Sequence, residues 1–254
     1  MNGWFGNADT GPFIIFETPH LIMLVIYLVG LVGLFSTYKI IRNNSIAYSI
    51  IRWALFVMLI ASELSYQIWA VANGIWQANE QLPMQLCGIA GIIAAIALLT
   101  ENKRLIIIAY FIGFIPALLA IITPGLQFGF PHFRYWKFFI HHLAISWASI
   151  FLVLTSGVQI TFRAMWEAYG LLIIYASLVG FAINPLLDAN FLYLDSTPDA
   201  STPLDWLGTG IWYYVNLSLL GIAVFSMLVG LAKLFKADLE MEAEIGRGKG
   251  RYLS

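Results

Sequence analysis

The stretch LIIIAYFIGFIPALLAII, residues 105–122, decides the fold class of this chain. It holds eighteen consecutive residues without a charged side chain, and the charged tetrapeptide ENKR at 101–104 precedes it. An apolar run of this length can cross the hydrocarbon core of a bilayer as a single helix. The run therefore predicts a membrane-spanning helix.

Six further apolar runs accompany it, and together they predict seven spans. Their approximate bounds are 19–38, 47–72, 84–100, 104–123, 136–155, 165–187 and 209–234. A membrane β-barrel would show short alternating segments instead of continuous apolar runs. No Ser/Gly-rich linker or internal repeat divides the chain. We therefore expect one all-α domain, residues 1–254: a polytopic membrane bundle of about seven transmembrane helices.

Composition excludes several classes of protein. Of the 254 residues, 60% are hydrophobic and 11% are charged, against about 25% charged in a soluble domain. A net charge of −1 offers no basic field for nucleic acid. One cysteine and no metal-binding histidine spacing argue against a disulfide framework or a metal site. We expect membrane lipids as partners and no nucleic acid, metal or cofactor; the oligomeric state is not indicated.

The Lys and Arg residues predict the orientation of the spans. Only Arg134 and Lys137 fall on one side of the predicted bundle. The other side carries the remaining eleven: Lys39, Arg42, Arg52, Lys103, Arg104, Arg163, Lys233, Lys236, Arg247, Lys249 and Arg251. Because cytoplasmic loops carry the excess of these residues, we expect the N-terminus outside the cell membrane. The C-terminus and a tail at 236–254 would then be cytoplasmic.

A carboxylate lies inside the second predicted span, where hydrocarbon makes ionised groups costly. Glu63 occurs in ASELSYQIW at 61–69. Tyr66 and Gln67 follow it by three and four residues, so they share its helix face. Either the carboxyl locks helix packing through hydrogen bonds, or it orients or handles a proton.

Cys87 and two histidines are candidate reactive groups. Taking Pro83 as the first helical residue places Cys87 about one turn into the third span. His141 and His142 lie early in the fifth span, and neighbours on a helix point about 100° apart, so only one can face a given partner. One interpretation is a small apolar cysteine and hydrogen-bonded histidines; the other is a thiol nucleophile with an imidazole base.

Two cations and one long connection complete the candidates. Arg134 and Lys137 are three residues apart, so a helical turn would point both to one place on the outer interface. They either hold a lipid phosphate or reach headgroups without specific recognition. The connection 188–208 is either an ordinary connector or a lid whose apolar residues 191–194 pack onto the bundle mouth.

Three motifs carry a resemblance to known proteins. They are LPMQLCG at 82–88, PGLQFGFPHFRYWKFFIHH at 124–142, and LLDANFLYL at 186–194 followed by LDWLG and WYY. In this order they resemble the YwaF-like family of bacterial integral membrane proteins, over residues 16–236. More distantly, the chain is similar to the transmembrane protein 164 group, which is associated with transfer of fatty acyl chains between phospholipids.

The resemblance implies roles for individual residues. The group's catalytic cysteine corresponds to Cys87, and its pattern aromatic–aromatic–Ile–x–His selects His142 in FFIHH. A glutamate and a loop asparagine of the group correspond to Glu63 and Asn190. Gly88 departs from the pattern, because that group has a histidine there.

The leading hypothesis is acyl transfer in the outer half of the bilayer. Cys87 would attack a lipid ester, His142 would act as base, and Glu63 would orient the imidazole. The substrate site would comprise Arg134, Lys137, Gln67, Tyr66, His141 and Asn190. The alternatives are a small transporter with a polar Glu/His interior and a non-catalytic membrane subunit or scaffold.

Overall fold

The chain folds as a bundle of helices. A computed structural model describes residues 3–7, 11–197 and 203–250, with the backbone alone for residues 203 and 235–250. The long helices in these ranges are α1 (Thr18–Asn43), α2 (Ser45–Ala72), α3 (Leu86–Thr100), α4 (Lys103–Ile122), α5 (Phe133–Ser156), α6 (Phe162–Leu187) and α7 (Ile211–Gly250). Short helical turns at Ala78–Gln81, Phe191–Tyr193 and Pro203–Leu207 lie between them. No strand forms in the described ranges beyond one isolated bridge, so the predicted all-α bundle is confirmed.

Six of these helices are long and apolar enough to cross a membrane, and α3 is the exception. Its 15 residues span roughly 22 Å, against about 30 Å of hydrocarbon. It nevertheless runs between the two ends of the bundle. Before it, the Gln81 carbonyl accepts a hydrogen bond from Gln67 near the end of α2; at its end, the Leu99 carbonyl accepts one from Arg52 near the start of α2. The described long helices thus comprise six full-length spans and this shorter one, where seven full spans are predicted.

The start of α3 differs from the prediction. Pro83 lies outside the helix, which begins at Leu86 with Gln85 as its N-cap. Cys87 is therefore the second helical residue and does not lie one turn in. Gln85 has an extended backbone, and its side-chain Oε1 accepts a hydrogen bond from the distant Leu192 N–H at 2.8 Å instead of capping α3. That contact holds the chain before α3 against the loop after α6.

Helix α5 is the centre of the bundle. It packs against α1, α2, α3 and α4, and 72% of its most apolar stretch is buried, against 11% in α6. Polar side chains at membrane depth cost least where other helices surround them, which explains why this polar helix is enclosed. Small residues let α4 approach it closely: Ser149 Oγ donates to the Ala109 carbonyl at 2.9 Å, opposite Gly113.

Residues 3–7 cover the end of the bundle where α2 ends and α5 begins, which we call the capped end. Trp69 Nε1 on α2 donates to the Phe5 carbonyl at 2.8 Å. His132, the N-cap of α5, hydrogen-bonds the Gly6 carbonyl through Nε2 at 2.8 Å. The N-terminal segment therefore ties α2 to α5 at this end.

The opposite end holds the connections rich in Lys and Arg. There Arg52 forms an ion pair with Glu101, at the C-terminus of α3. The α7 backbone remains helical through Gly250, within the predicted tail, and residues 251–254 lie outside the described residues. The orientation of the two ends relative to the membrane stays a prediction.

The connection after α6 folds back onto the capped end. Helix α6 contains a π-helical turn at Val179–Ile183. The Asn184 side chain then donates to the Phe191 carbonyl and accepts from its N–H, at 3.1 and 3.0 Å, and Phe191 is buried. Of the apolar residues 191–194, Phe191 is thus buried and the other three are partly buried. Residues 198–202 of the connection lie outside the described part of the chain.

Candidate active site

Three helices bring polar or small residues to one junction near the capped end. Residues four apart lie on one face of a helix. The three pairs with this spacing are Glu63 and Gln67 on α2, Cys87 and Gly91 on α3, and Lys137 and His141 on α5. Because α2, α3 and α5 pack against one another, the three faces meet.

An ion pair joins α2 to α5. Lys137 Nζ lies 3.6 Å from Glu63 Oε2, and the two side chains are 16% and 20% exposed. Gln67 Nε2 donates to the other carboxylate oxygen at 2.7 Å, and the Tyr66 ring lies under the ammonium, with its centroid 4.5 Å from Nζ. Both oxygens of Glu63 therefore have partners, and no contact in the described ranges joins them to His142.

Gln67 also organises the connection that leads to α3. Its Nε2 donates to the Gln81 carbonyl at 2.7 Å. Its Oε1 accepts a hydrogen bond from Trp76 Nε1, also at 2.7 Å. The amide is thus fully engaged by protein groups, which makes Gln67 a positioning residue.

His141 is the histidine that contacts α3. A Cβ atom placed on Gly91 would lie 3.0 Å from its Cε1 and 3.2 Å from its Nε2, and the ring interacts with the Cys87 backbone. On the other side, Nδ1 forms a 2.7 Å hydrogen bond with Ser62 Oγ. The ring therefore bridges α2 and α3. Cys87 itself is half-buried, and Lys137 is the cation that acts on its thiol.

Ser62 influences which nitrogen of His141 carries the proton. Its Oγ lies 3.0 Å from the Leu59 carbonyl and 2.7 Å from Nδ1, and a hydroxyl has one proton to donate. With that proton on the carbonyl, Nδ1 donates to Oγ. When the hydroxyl donates to Nδ1 instead, Nε2 carries the ring proton and can donate to the Cys87 backbone.

His142 occupies a different environment from its neighbour. The two rings are perpendicular, with centroids 5.9 Å apart, which agrees with the expected divergence of adjacent helical residues. His142 Nδ1 donates to the Phe138 carbonyl of its own helix at 2.7 Å. In the neutral ring this leaves the lone pair on Nε2.

Arg134 lies in a cage of aromatic rings at the capped end. Its Cζ lies 4.8 Å from the Tyr66 centroid, 5.2 Å from that of Trp69 and 5.6 Å from that of Phe128. Lys137, by contrast, turns into the junction and pairs with Glu63. The two cations thus share the Tyr66 ring, as expected for one place, but within the described ranges only Lys137 also pairs with a carboxylate.

Asn190 organises its own loop. Its Oδ1 accepts from the Asp195 and Ser196 N–H groups at 3.0 and 3.3 Å, and its Nδ2 donates to the Ser196 carbonyl at 2.8 Å. Its carbonyl accepts from Gln85 Nε2 at 3.4 Å. Through its backbone, Asn190 thus contacts Gln85, the N-cap of α3. Gln85 precedes Cys87 by two residues.

Two contact residues escape the sequence analysis. Gly91 carried a usable signal, because it follows Cys87 by four residues and must share its face. The sequence around Gln85 held no signal for its contact, because its partner Leu192 is 107 positions away. In the described ranges, no group of three or more His, Cys, Asp or Glu side chains is arranged to hold a metal ion.

A family comparison matches most of the chain. The model of the TMEM164 family matches residues 15–229. The chain belongs to the TMEM164 family. Together with the six apolar helices, this makes it a multi-pass integral membrane protein. Neither a curated protein nor a solved structure matches it.

Within this TMEM164-family chain, Gly88 has a structural explanation. A Cβ atom at this position would lie 2.6 Å from the Pro83 carbonyl oxygen and 2.9 Å from its Cα. Only a residue without a side chain permits this approach of backbone to helix. The histidine that the transmembrane protein 164 group carries here would therefore require the chain before α3 to follow another path.

Proposed function

We propose that this protein transfers fatty acyl chains between membrane lipids through a thioester on Cys87. Family membership supports the proposal, because the resemblance to the transmembrane protein 164 group implies that activity. The observation that carries it is the junction of α2, α3 and α5. There the chain's one thiol lies one helical turn before Gly91, which contacts the His141 ring, and an electrostatic interaction links the thiol to Lys137.

The reaction proceeds in two balanced steps. In the first, the Cys87 sulfur attacks the ester carbonyl of a donor lipid as its proton passes to a histidine. The ester C–O bond breaks, the thioester forms, and the leaving lyso-lipid oxygen takes the proton. In the second, the hydroxyl of an acceptor lipid attacks the thioester, gives its proton to the histidine, and the thiol is restored. No oxidant or further reactant is needed.

Different observations support His141 and His142 as the general base. The resemblance implies His142, whose neutral ring keeps its lone pair on Nε2. The contacts favour His141, because its ring meets α3 at Gly91 and the Cys87 backbone. Asparagine at each position separates the two assignments, since it keeps polarity but cannot take a proton. The base is the residue whose replacement abolishes thioester formation.

Lys137 supports the reaction electrostatically. Its ammonium acts on the Cys87 thiol and would stabilise both the thiolate and the oxyanion that forms on the attacked carbonyl. Glu63 and Tyr66 hold that ammonium in place. In this scheme Glu63 positions Lys137, instead of orienting the imidazole of His142.

The test is an acyl-transfer assay in reconstituted vesicles. Purified protein is supplied with a phospholipid carrying a labelled acyl chain and with an unlabelled lyso-lipid acceptor. We expect label to move to the acceptor, and a hydroxylamine-sensitive acyl adduct to appear on Cys87 by mass spectrometry. Cys87→Ala should abolish both signals, whereas the control Arg163→Gln, on the exposed start of α6, should preserve them.

Transfer that persists at the wild-type rate in Cys87→Ala would end the thiol mechanism. A second candidate, a non-catalytic membrane subunit, has one observation in its favour: Glu63, Lys137 and Gln67 satisfy one another without a ligand. It predicts that a Cys87→Ala/His142→Ala protein keeps its full cellular phenotype. The YwaF-like assignment and the location in the outer half of the cell membrane belong to the same proposal.

A further inference from the structure

The guanidinium of Arg134 is surrounded by aromatic rings, which account for its position but not for its N–H donors. Three rings surround its guanidinium: Tyr66 and Trp69 from α2, and Phe128 from the connection before α5. Aromatic faces attract a cation through its charge, and they restrict the motion of the side chain. They offer no acceptor for the N–H groups at the edge of the guanidinium plane.

The charge of Arg134 is uncompensated in the part of the chain that the structure describes. Lys137 has Glu63 as its counter-charge, and the other ion pairs of the described residues join Arg52 to Glu101 and Arg163 to Glu167. No carboxylate of the described residues pairs with Arg134. Within the described ranges the site therefore carries one positive charge in excess at the capped end of the bundle.

The chemistry of the guanidinium indicates the missing ligand. It carries five N–H donors and no acceptor, and within the described ranges none of them has a hydrogen-bond acceptor. The donors lie in one plane as a fork that matches two oxygens of a phosphate. Lys137 is excluded from this role, because Glu63 already neutralises it inside the junction.

We propose that Arg134 binds the phosphate group of a glycerophospholipid, and that this group, and not Lys137, selects the lipid. The inference rests on the proposed function, since it names the residue that recognises the lipid at the same site. Arg134 and Lys137 both contact the Tyr66 ring, with centroid distances of 4.8 and 4.5 Å, and Lys137 interacts electrostatically with Cys87. A lipid held by its phosphate at Arg134 would thus present its glycerol esters toward the thiol.

A binding experiment tests the assignment without requiring turnover. The purified full chain is titrated with dioleoyl phosphatidylglycerol, with diolein as a phosphate-free lipid, and with inorganic phosphate, and bound lipid is measured by native mass spectrometry. We expect the wild type to prefer the phospholipid to diolein. Arg134→Gln should weaken phospholipid binding about ten-fold to a hundred-fold, as loss of charged hydrogen bonds predicts, and leave diolein binding unchanged.

Two variants complete the design. Arg134→Lys keeps the charge but loses the fork, so it should bind phospholipid with intermediate affinity and also serves if Arg134→Gln fails to fold. Arg163→Gln removes an exposed guanidinium elsewhere and should bind as the wild type does. Equal phospholipid binding by wild type and Arg134→Gln would overturn the proposal, as would equal binding of phospholipid and diolein by the wild type.

The remaining outcomes are also decisive. Inorganic phosphate that binds as tightly as the lipid and displaces it would show that the site serves a soluble phosphate, which overturns the lipid assignment. Arg134-dependent binding without any acyl transfer would refute the proposed function alone, whereas transfer without Arg134-dependent binding would refute this inference alone.

Discussion

Replacing Lys137 by Met tests the ion pair that joins α2 to α5. The two charged atoms are 3.6 Å apart, and the side chains of Lys137 and Glu63 are 16% and 20% exposed. Met retains an unbranched stem but removes the ammonium. The Glu63 carboxylate is then left with Gln67 as its remaining hydrogen-bond donor, so we expect a loss of stability.

The magnitude follows from the geometry. At the 3.6 Å separation, an effective dielectric constant of about 20 gives an attraction of about 4–5 kcal/mol. Desolvation of the two groups offsets part of this. Because the Gln67 amide remains 2.7 Å from the other oxygen, we expect Lys137→Met to lower the free energy of unfolding by about 2–3 kcal/mol.

The assay is a double-mutant cycle. Lys137→Met, Glu63→Gln and the double variant are unfolded with SDS in mixed micelles, with tryptophan fluorescence as the signal. The double variant should lose about 1–2 kcal/mol less than the sum of the single variants, since neither charge is then left alone. The control pair is Arg163 and Glu167, which lie 3.1 Å apart with side chains 91% and 62% exposed.

The two ion pairs differ in the exposure of their side chains, and this difference should set their coupling free energies. For the control pair we expect a coupling free energy of no more than about 0.5 kcal/mol, as for other exposed pairs four residues apart on a helix. An equal coupling for the Lys137–Glu63 pair would refute the reasoning, because it would mean that the α2–α5 junction screens charge as effectively as an open surface does.

Three further predictions concern the fold around the site. Gly88→Ala should lower the free energy of unfolding in SDS by about 1–3 kcal/mol, because the added Cβ meets the Pro83 backbone. In the control Gly170→Ala the added Cβ enters open space, so stability should be unchanged or raised. Equal effects of the two substitutions would contradict this. Gln85→Ala should speed hydrogen exchange in the 188–194 loop and not in α4; unchanged loop exchange would count against the contact. In a protein whose native cysteine is replaced, the new thiol of Asn102→Cys should not react with impermeant thiol reagents added outside intact cells. Rapid labelling would show that the orientation is opposite to the predicted one.

The sequence predicted the helices well where hydropathy alone decides them. The run 104–123 matches α4 at Lys103–Ile122 within a residue at each end, because eighteen uncharged residues have no stable alternative to a helix in lipid. It failed at the start of α3. The residue before the helix, Gln85, contacts Leu192 there, and no local pattern reports a partner so distant in the chain.

What the sequence by itself determined is therefore the membrane bundle and its inventory of reactive side chains, because hydropathy and helical spacing act over short stretches of chain. Only the tertiary structure assigned the partners. Arg134 and Lys137 look equivalent along one helix turn, yet one lies among aromatic rings and the other pairs with Glu63. Likewise His141 contacts α3 while His142 bonds its own helix. The reason is that the partner of a side chain depends on which neighbouring helix packs against its face, and that is set by the whole bundle.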